Sequence, residues 1–203
     1  MDLRKEMQKI IRESIIAVRK EYLNGLSVFE PDSFPWTFVS EADFQALMLS
    51  EIWKRIRNKN LAKAVGVTNE FGFGDYRRVD TLIYERSNKG TVFDIVNKSI
   101  PHFMLIKHVI ALIEFKASWD QDEKRVDKTI ATDIAKLKKP LRLTVIPKKF
   151  KDKNLLKIVK VDSKYVISFN YLPSKNTLST GIDIENVTPE ITVYRVSLLK
   201  KTN

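Results

Sequence analysis

His108-Val109-Ile110-Ala111-Leu112-Ile113-Glu114-Phe115-Lys116 is an apolar run that ends in an acid and a base. The run predicts a buried strand, and Glu114 and Lys116 share one face of it because they lie two positions apart. Upstream, the strand-like segment Arg78-Val79-Asp80-Thr81-Leu82 carries a second acid, Asp80, among apolar neighbours. A carboxylate in an apolar sheet is costly unless a cation or hydrogen bonds satisfy it. Two such acids beside a lysine predict a site that holds a divalent metal and cuts a phosphodiester.

The composition is that of a globular protein. With 203 residues, the chain is long enough for one domain with a full core, and its hydrophobic content of 43% is ordinary. The absence of cysteine excludes disulfides, thiol catalysis and cysteine-based zinc sites. No apolar stretch approaches the roughly 20 residues of a membrane span, and the charged N-terminus lacks a secretory apolar region. We therefore expect a cytoplasmic protein without a membrane partner, located in the host cell interior if its source is a virus.

The net charge of +11 favours a polyanionic partner. Residues 136–160 contain ten Lys or Arg and one acid, so this segment accounts for most of the excess. Nucleic acid is the expected partner because phosphate contacts supply most of the non-specific affinity of proteins that bind it. The alternatives are a solvated lysine-rich surface and a purely structural basic protein that packs a genome.

Hydrophobic periodicity predicts helices and strands in one chain. Helices are expected over 3–23, 40–57 and 128–139, the second of them beginning at an N-cap, Ser40, with Asp43 in a capping-box position. Strands are expected around Asp80 and over 106–116, 141–146 and 191–199, with a hairpin of 157–161 and 165–169. Residues 85–107 are expected to be an insertion or long loop, with a turn at 87–90 and a short helix over 91–100. The predicted fold class is α/β, a central mixed sheet flanked by helices.

The spacing (D/E)-x-K occurs three times, and its context separates the three cases. Asp122 precedes Lys124 in a charged connection, and Asp162 precedes Lys164 at a predicted hairpin tip, where Asp is a common turn former. Glu114 alone follows a long apolar strand. We therefore expect the chemistry at Glu114 and Lys116.

With these motifs the sequence resembles the PD-(D/E)XK nuclease superfamily. Members share a restriction-endonuclease-like αβββαβ core, with an acid early in the first core helix, an Asp on the second strand and (D/E)-x-K on the third. The corresponding residues here are Glu41, Asp80 and Glu114-Phe115-Lys116, and the helix around Asp133 resembles the one that follows the motif. The resemblance covers 40–146 as the catalytic core of a single nuclease domain, 1–203. An N-terminal helix and loop over 1–39 and a strand-rich extension over 147–203 lie outside it.

The resemblance implies a role for each of these residues. Asp80, Glu114 and the Phe115 backbone carbonyl would hold Mg²⁺, which Mn²⁺ can replace, and Glu41 would help to position the metal. Lys116 would orient or deprotonate the attacking water, and a depressed pKa beside a metal would allow the second role.

Other residues remain open at this point. Asp75 is the alternative to Asp80, and Gln45 and Glu51 are the alternatives to Glu41. The candidate phosphate contacts in the basic segment are Lys136, Lys138 and Lys139. Lys136 and Asp133 also suit a solvated helix face, which is the commoner position for charged helix residues.

The implied function is a magnesium-dependent deoxyribonuclease, an endonuclease that prefers DNA structure over sequence. Junction-resolving members of the family act on double-stranded or branched DNA in recombination and repair, usually as dimers. We therefore expect a homodimer, with an interface formed by the N-terminal helix or the C-terminal strands. The alternative function is a catalytically inactive DNA-binding protein that retains the nuclease fold.

Overall fold

The computed structural model describes residues 2–28, 40–72, 78–97, 100–118, 122–145, 155–175 and 180–199. Within these ranges the helices are α1 (Leu3–Val28), α2 (Glu41–Asn58) and α3 (Glu123–Lys138). The strands are β1 (Val65–Gly72), β2 (Arg78–Asn97), β3 (Ile100–Ser118), β4 (Leu141–Val145), β5 (Leu155–Val159), β6 (Val161–Asn170), β7 (Ile182–Asn186) and β8 (Ile191–Ser197). The predicted α/β class is confirmed. None of the described helices is long and apolar enough to cross a membrane.

The described strands form one mixed sheet centred on β3. Their order is β5-β4-β2-β3-β6-β8-β7, and β1 pairs with β2 beside this path. β2 runs antiparallel to β3, whereas β6 lies parallel to β3 on its other side and β8 lies parallel to β6. Parallel strands covered on both faces are rich in apolar residues, and β6 is buried at nearly every position. The strand that carries Glu114 and Lys116 is therefore held between neighbours on both sides.

The prediction of an inserted loop over 85–107 is wrong. β2 and β3 continue through this region as a long antiparallel pair, from Thr81↔Ile113 to Asn97↔Ile100. Residues 91–97 are strand rather than helix, and 98–99 lie outside the described residues. The predicted turn at 87–90 is an irregularity within β2, where the register jumps between Arg86 and Thr91. This continuous pairing brings Asp80 and Glu114 onto adjacent strands despite their separation in sequence.

The predicted hairpin of 157–161 and 165–169 is also wrong. β5 pairs with β4, while β6 pairs with β3 on the other side of the β2–β3 pair. Asp162 is consequently a strand residue, and its carboxylate lies 2.6 Å from Nε2 of His108 on β3. A local pattern identifies a strand but carries little information about its partner, because a parallel neighbour is joined through a distant crossover.

Two apolar clusters cover opposite faces of the sheet. Ile113 and Ile167 pack with α1 and α2, whereas their sequence neighbours Leu112 and Val166 pack with α3. Successive residues of a strand point to opposite faces, so the two clusters are separated by the sheet itself. The architecture is a three-layer arrangement of helices, sheet and helix.

α1 belongs to this core. Its predicted apolar stripe is buried at Met7, Ile11, Ile15, Val18 and Tyr22. That face is used within the chain, and the homodimer expected from sequence stays a prediction.

α1 also contacts β8, the last described strand. Nε of Arg19 on α1 donates a hydrogen bond to the carbonyl of Ser197 on β8 at 2.7 Å.

The strand that was predicted to end the catalytic core is β4, and it pairs with β2 at Phe93 and Asp94. The strand that lies parallel to β3 is β6, which belongs to the predicted C-terminal extension.

Candidate active site

Asp80 and Glu114 lie side by side on β2 and β3, as their strand register requires. Thr81 pairs with Ile113, so the next residues outward, Asp80 and Glu114, face each other across the two strands. The Phe115 backbone N–H donates a 2.6 Å hydrogen bond to Oδ2 of Asp80. Asp80 is thereby fixed to the strand that carries the (D/E)-x-K motif.

Glu114 is a buried carboxylate with a single cation beside it. The residue is 1% exposed, and Nζ of Lys136 lies 2.8 Å from each of its oxygens. The hydrogen bond goes to Oε2, and Oε1 has no hydrogen-bond partner among the described residues. Burial raises the pKa of Glu114 to about 7, the hydrogen bond from Lys136 opposes this rise, and the charge of Asp80 adds to it. Glu114 therefore takes up a proton more readily than an exposed glutamate does.

Lys116 bridges two other acids. Its Nζ lies 3.4 Å from both carboxylate oxygens of Glu41 and 3.5 Å from Oδ2 of Asp133. Burial alone would lower the pKa of Lys116, but the charges of Asp133 and Glu41 outweigh it, and the pKa is raised. The depressed pKa considered from sequence applies to a lysine beside a bound metal and stays a prediction. Lys116 acts here as a cation rather than a base.

Asp133 is the site residue that sequence reasoning missed. It was assigned to a solvated face, yet it is 6% exposed and points from α3 toward Lys116. Burial raises its pKa, and the positive charge of Lys116 opposes the rise. The available signal was the helical spacing, because Asp133 falls in the buried stripe of Val126, Ile130 and Leu137. An acid inside an apolar helical stripe needs a cation or hydrogen bonds to compensate its burial, as an acid inside an apolar strand does.

α2 delivers Glu41 to the site by its predicted N-terminus. Ser40 caps the helix in a capping box with Asp43, which confirms the sequence interpretation and places Glu41 in the first turn. One turn later, Nε2 of Gln45 donates to the backbone carbonyl of Asp80 at 3.1 Å and also contacts Asn69. Gln45 therefore ties α2 to β2.

The remaining sequence alternatives are not part of this network. Glu51 is occupied elsewhere, in ion pairs with Lys54 and Arg55. Asp75 lies outside the described residues.

The three lysines predicted as phosphate contacts occupy different environments. Lys138 and Lys139 are exposed where α3 ends, as a surface contact requires. Lys136 is directed inward instead, onto Glu114. The lysines at 148–153 lie outside the described residues.

The donor chemistry fits a hard divalent cation. Glu41, Asp80, Glu114 and Asp133 offer oxygen ligands, which Mg²⁺ prefers, and two of them have a buried oxygen without a hydrogen-bond partner. Oxygens of Glu41 and Asp133 lie beside Lys116, those of Glu114 lie beside Lys136, and Oδ2 of Asp80 accepts from the Phe115 N–H. Accordingly, the part of the chain that the structure describes contains no group of three or more potential ligands positioned for a metal. The four acids provide the oxygen ligands that Mg²⁺ prefers, but Lys116 and Lys136 lie among them.

Comparisons of the chain with protein-family models, with curated proteins and with solved structures find no match.

Proposed function

We propose that the chain is a metal-dependent deoxyribonuclease of the PD-(D/E)XK type, an endonuclease that prefers DNA structure over sequence. The observation that carries the proposal is one ionic network built by α2, β2, β3 and α3. In it, Lys116 contacts Glu41 and Asp133, and Asp80 is bonded to the strand of Glu114. The network combines carboxylates that can hold a metal with a fixed ammonium group that can stabilise negative charge, and metal-assisted hydrolysis of a phosphodiester can use both.

Each residue has a role in this proposal. Asp80 and Glu114, with the Phe115 carbonyl, would hold Mg²⁺ or Mn²⁺, and Glu41 would help to position it. When bound, the metal would supply Lewis-acid stabilisation of the scissile phosphate and a lowered pKa for the attacking water. Lys116, protonated and fixed by Glu41 and Asp133, would orient that water and stabilise the negative charge that develops on the phosphate.

The charge of the chain supports DNA as the substrate. The net charge is +11, and the exposed Lys138 and Lys139 lie at the C-terminal end of α3, the helix that carries Asp133 and Lys136. Contacts from these lysines to phosphates would be independent of sequence. Double-stranded or branched DNA, cut by a homodimer as in junction-resolving enzymes, is the form of the proposal that we favour.

The test is a cleavage assay with Lys116→Ala. We expect Mg²⁺ or Mn²⁺ to support cutting and EDTA to abolish it. We expect Lys116→Ala to lower the cutting rate by about 10²- to 10³-fold, because one preorganised cation is removed from the transition state. Linear, circular, single-stranded and four-way-junction DNA should all be tried, since cutting of circular DNA separates an endonuclease from an exonuclease.

The matched control is Lys107→Ala. Lys107 is on the same strand, but it is exposed and pairs with Glu85 away from the network. We expect cutting by this variant to stay near the wild-type rate. Equal loss of cutting in both variants, or cutting that is unaffected by Lys116→Ala, would contradict the proposal.

A catalytically inactive DNA-binding protein is the second candidate. The observation that favours it is the ion pair of Lys136 with Glu114, which compensates part of the buried charge without a metal. This candidate predicts binding of labelled DNA with no cutting of any substrate under any metal. Lys116→Ala would then change only the affinity, by a small factor.

A further inference from the structure

Lys136 occupies the position of a cation ligated by Glu114. Its Nζ lies at 2.8 Å from both carboxylate oxygens, and the carboxylate itself is almost completely buried. A lysine on the surface without a structural partner keeps its ammonium group in water. Lys136 instead extends from α3 to an acid on β3, with 30% of its side chain exposed. Its ammonium therefore lies between the interior and the solvent.

The charges around it do not balance. The ionic network contains four carboxylates, those of Glu41, Asp80, Glu114 and Asp133, and two ammonium groups, those of Lys116 and Lys136. With all four carboxylates ionised, the deficit is two positive charges, which is the charge of one divalent cation. Two oxygens in the network, Oε1 of Glu114 and Oδ2 of Asp133, are buried without a hydrogen-bond partner. Nζ of Lys136 lies 2.8 Å from the first and Nζ of Lys116 lies 3.5 Å from the second, so each has an ammonium group nearby but no hydrogen bond.

Resting on the proposed function, we propose that Lys136 is a displaceable counter-ion for the metal site. In the metal-free protein its ammonium holds Glu114, and an incoming Mg²⁺ or Mn²⁺ takes over the Glu114 oxygens. The long, flexible lysine side chain then turns outward, toward the side from which a DNA phosphate would approach. Lys136 is thus a positioning residue that occupies the carboxylate oxygens of Glu114 until the metal arrives.

A displaceable Lys136 and a structural ion pair predict different changes in metal affinity when the lysine is removed. If Lys136 must leave Glu114 before the metal binds, the ammonium competes with the metal, and its removal tightens metal binding. If Lys136 is a structural ion pair that remains in place, its removal leaves metal binding unchanged or weakens it through local disorder. The direction of the change in affinity therefore separates the two roles.

The experiment is calorimetric titration of Mn²⁺ and Mg²⁺ into wild-type protein, Lys136→Met and Lys136→Gln. We expect Lys136→Met to bind Mn²⁺ about tenfold tighter or more, because a charge-assisted hydrogen bond no longer has to be broken. Thermal melts should show a lower melting temperature for Lys136→Met in EDTA and a larger gain on adding Mn²⁺. Lys136→Gln keeps an N–H donor for Glu114 without the charge, so it provides a folded variant if the methionine is not tolerated. We expect it to bind Mn²⁺ more tightly than wild type but less tightly than Lys136→Met.

Lys128→Met is the control, because Lys128 is an exposed lysine on the same helix, outside the network. We expect its Mn²⁺ affinity to equal that of wild type. Metal binding that is unchanged or weaker in both Lys136 variants would overturn this inference and leave the proposed nuclease standing. Failure of every protein to bind either metal would overturn the proposed function and this inference with it.

Discussion

Glu114 could be recognised in the sequence, but the α3 residues close to it could not. Its position at the end of an apolar run marks it in the sequence, because core strands rarely carry an unpaired acid. Its partner Lys136 could not be found in the same way, since a lysine on a helix is ordinary. Asp133 was equally hidden, because its burial depends on the packing of α3 against the sheet. The strand residues and Glu41 of α2 were thus named from sequence, whereas the positions of Asp133 and Lys136 on α3 were not.

The raised pKa of Glu114 has a consequence for stability. In the folded, metal-free protein this carboxyl takes up a proton as the pH falls through about 7, whereas in the unfolded chain it stays ionised until the pH approaches its usual value of 4.5. Between these values the folded state binds more protons, so stability rises as the pH falls. We expect Glu114 to make the protein less stable at pH 8 than at pH 5, by up to about 3 kcal/mol. Urea unfolding in EDTA at both pH values measures the difference.

Glu114→Gln is the reference for this measurement, since the amide cannot titrate. Lys136, Asp80 and Asp133 act on Glu114 from the neighbouring elements, Lys116 lies two positions along the same strand, and all four remain in the variant. The comparison therefore isolates the one carboxyl. We expect the variant to lose most of the gain between pH 8 and pH 5, and an equal gain in both proteins would show that Glu114 is not responsible.

At the scale of elements, β1 is fitted to β2 by a glycine. Gly66 lies opposite Tyr84 in the antiparallel register, and the Tyr84 ring lies where a Cβ on Gly66 would be. The ring uses the space that the missing side chain leaves, and Tyr84 is itself buried against the cluster on the α3 side. The pairing of β1 with β2, and through it the position of Asp80, depends on this fit.

Gly66→Ala should therefore lower the free energy of unfolding by about 1–3 kcal/mol, because the new methyl group would force the Tyr84 ring to move. Denaturant unfolding of Gly66→Ala, Tyr84→Leu and the double variant measures the effect as a cycle. We expect Gly66→Ala to cost less in the Tyr84→Leu background, where the ring is gone. A cost that is the same in both backgrounds would mean that the ring is not the obstacle.

The elements also show where prediction from sequence ends. Three predictions were correct: the cap at Ser40, the buried stripe of α1 and the strand before Glu114. Each depends on residues that lie close together in the sequence. The hairpin at Asp162 and the loop over 85–107 were wrong, because both depended on which strands pair. Pairing of β6 with β3 is a property of the assembled sheet, and no local spacing encodes it.

At the scale of the whole molecule, α1 is part of the structure that supports the site. Ile11 is fully buried in the cluster that also contains Ile113 and Phe115, the neighbours of Glu114. We expect Ile11→Ala to lower the free energy of unfolding by about 2–5 kcal/mol, through lost burial and the cavity left behind. Thermal melting or urea unfolding gives the loss directly.

Ile16→Ala removes the same atoms from the same helix at a position that is 41% exposed. We expect its effect to stay below about 1 kcal/mol. If Ile16→Ala were as damaging as Ile11→Ala in dilute solution, the outer side of α1 would be covered by something that the isolated chain does not show. Equal, small effects would mean that α1 is dispensable.

The contact between α1 and β8 has a consequence for biosynthesis. Arg19 and Ser197 are bonded across 178 positions of the chain, and β8 pairs with β6, which supports the strand of Glu114. A nascent polypeptide that has left the ribosome as far as Lys136 carries every acid of the network but not the parallel strands beside β3. We therefore expect ribosome-bound fragments to stay inert toward DNA until translation has passed β8. Such timing would keep the site incomplete until the whole sheet has been synthesised.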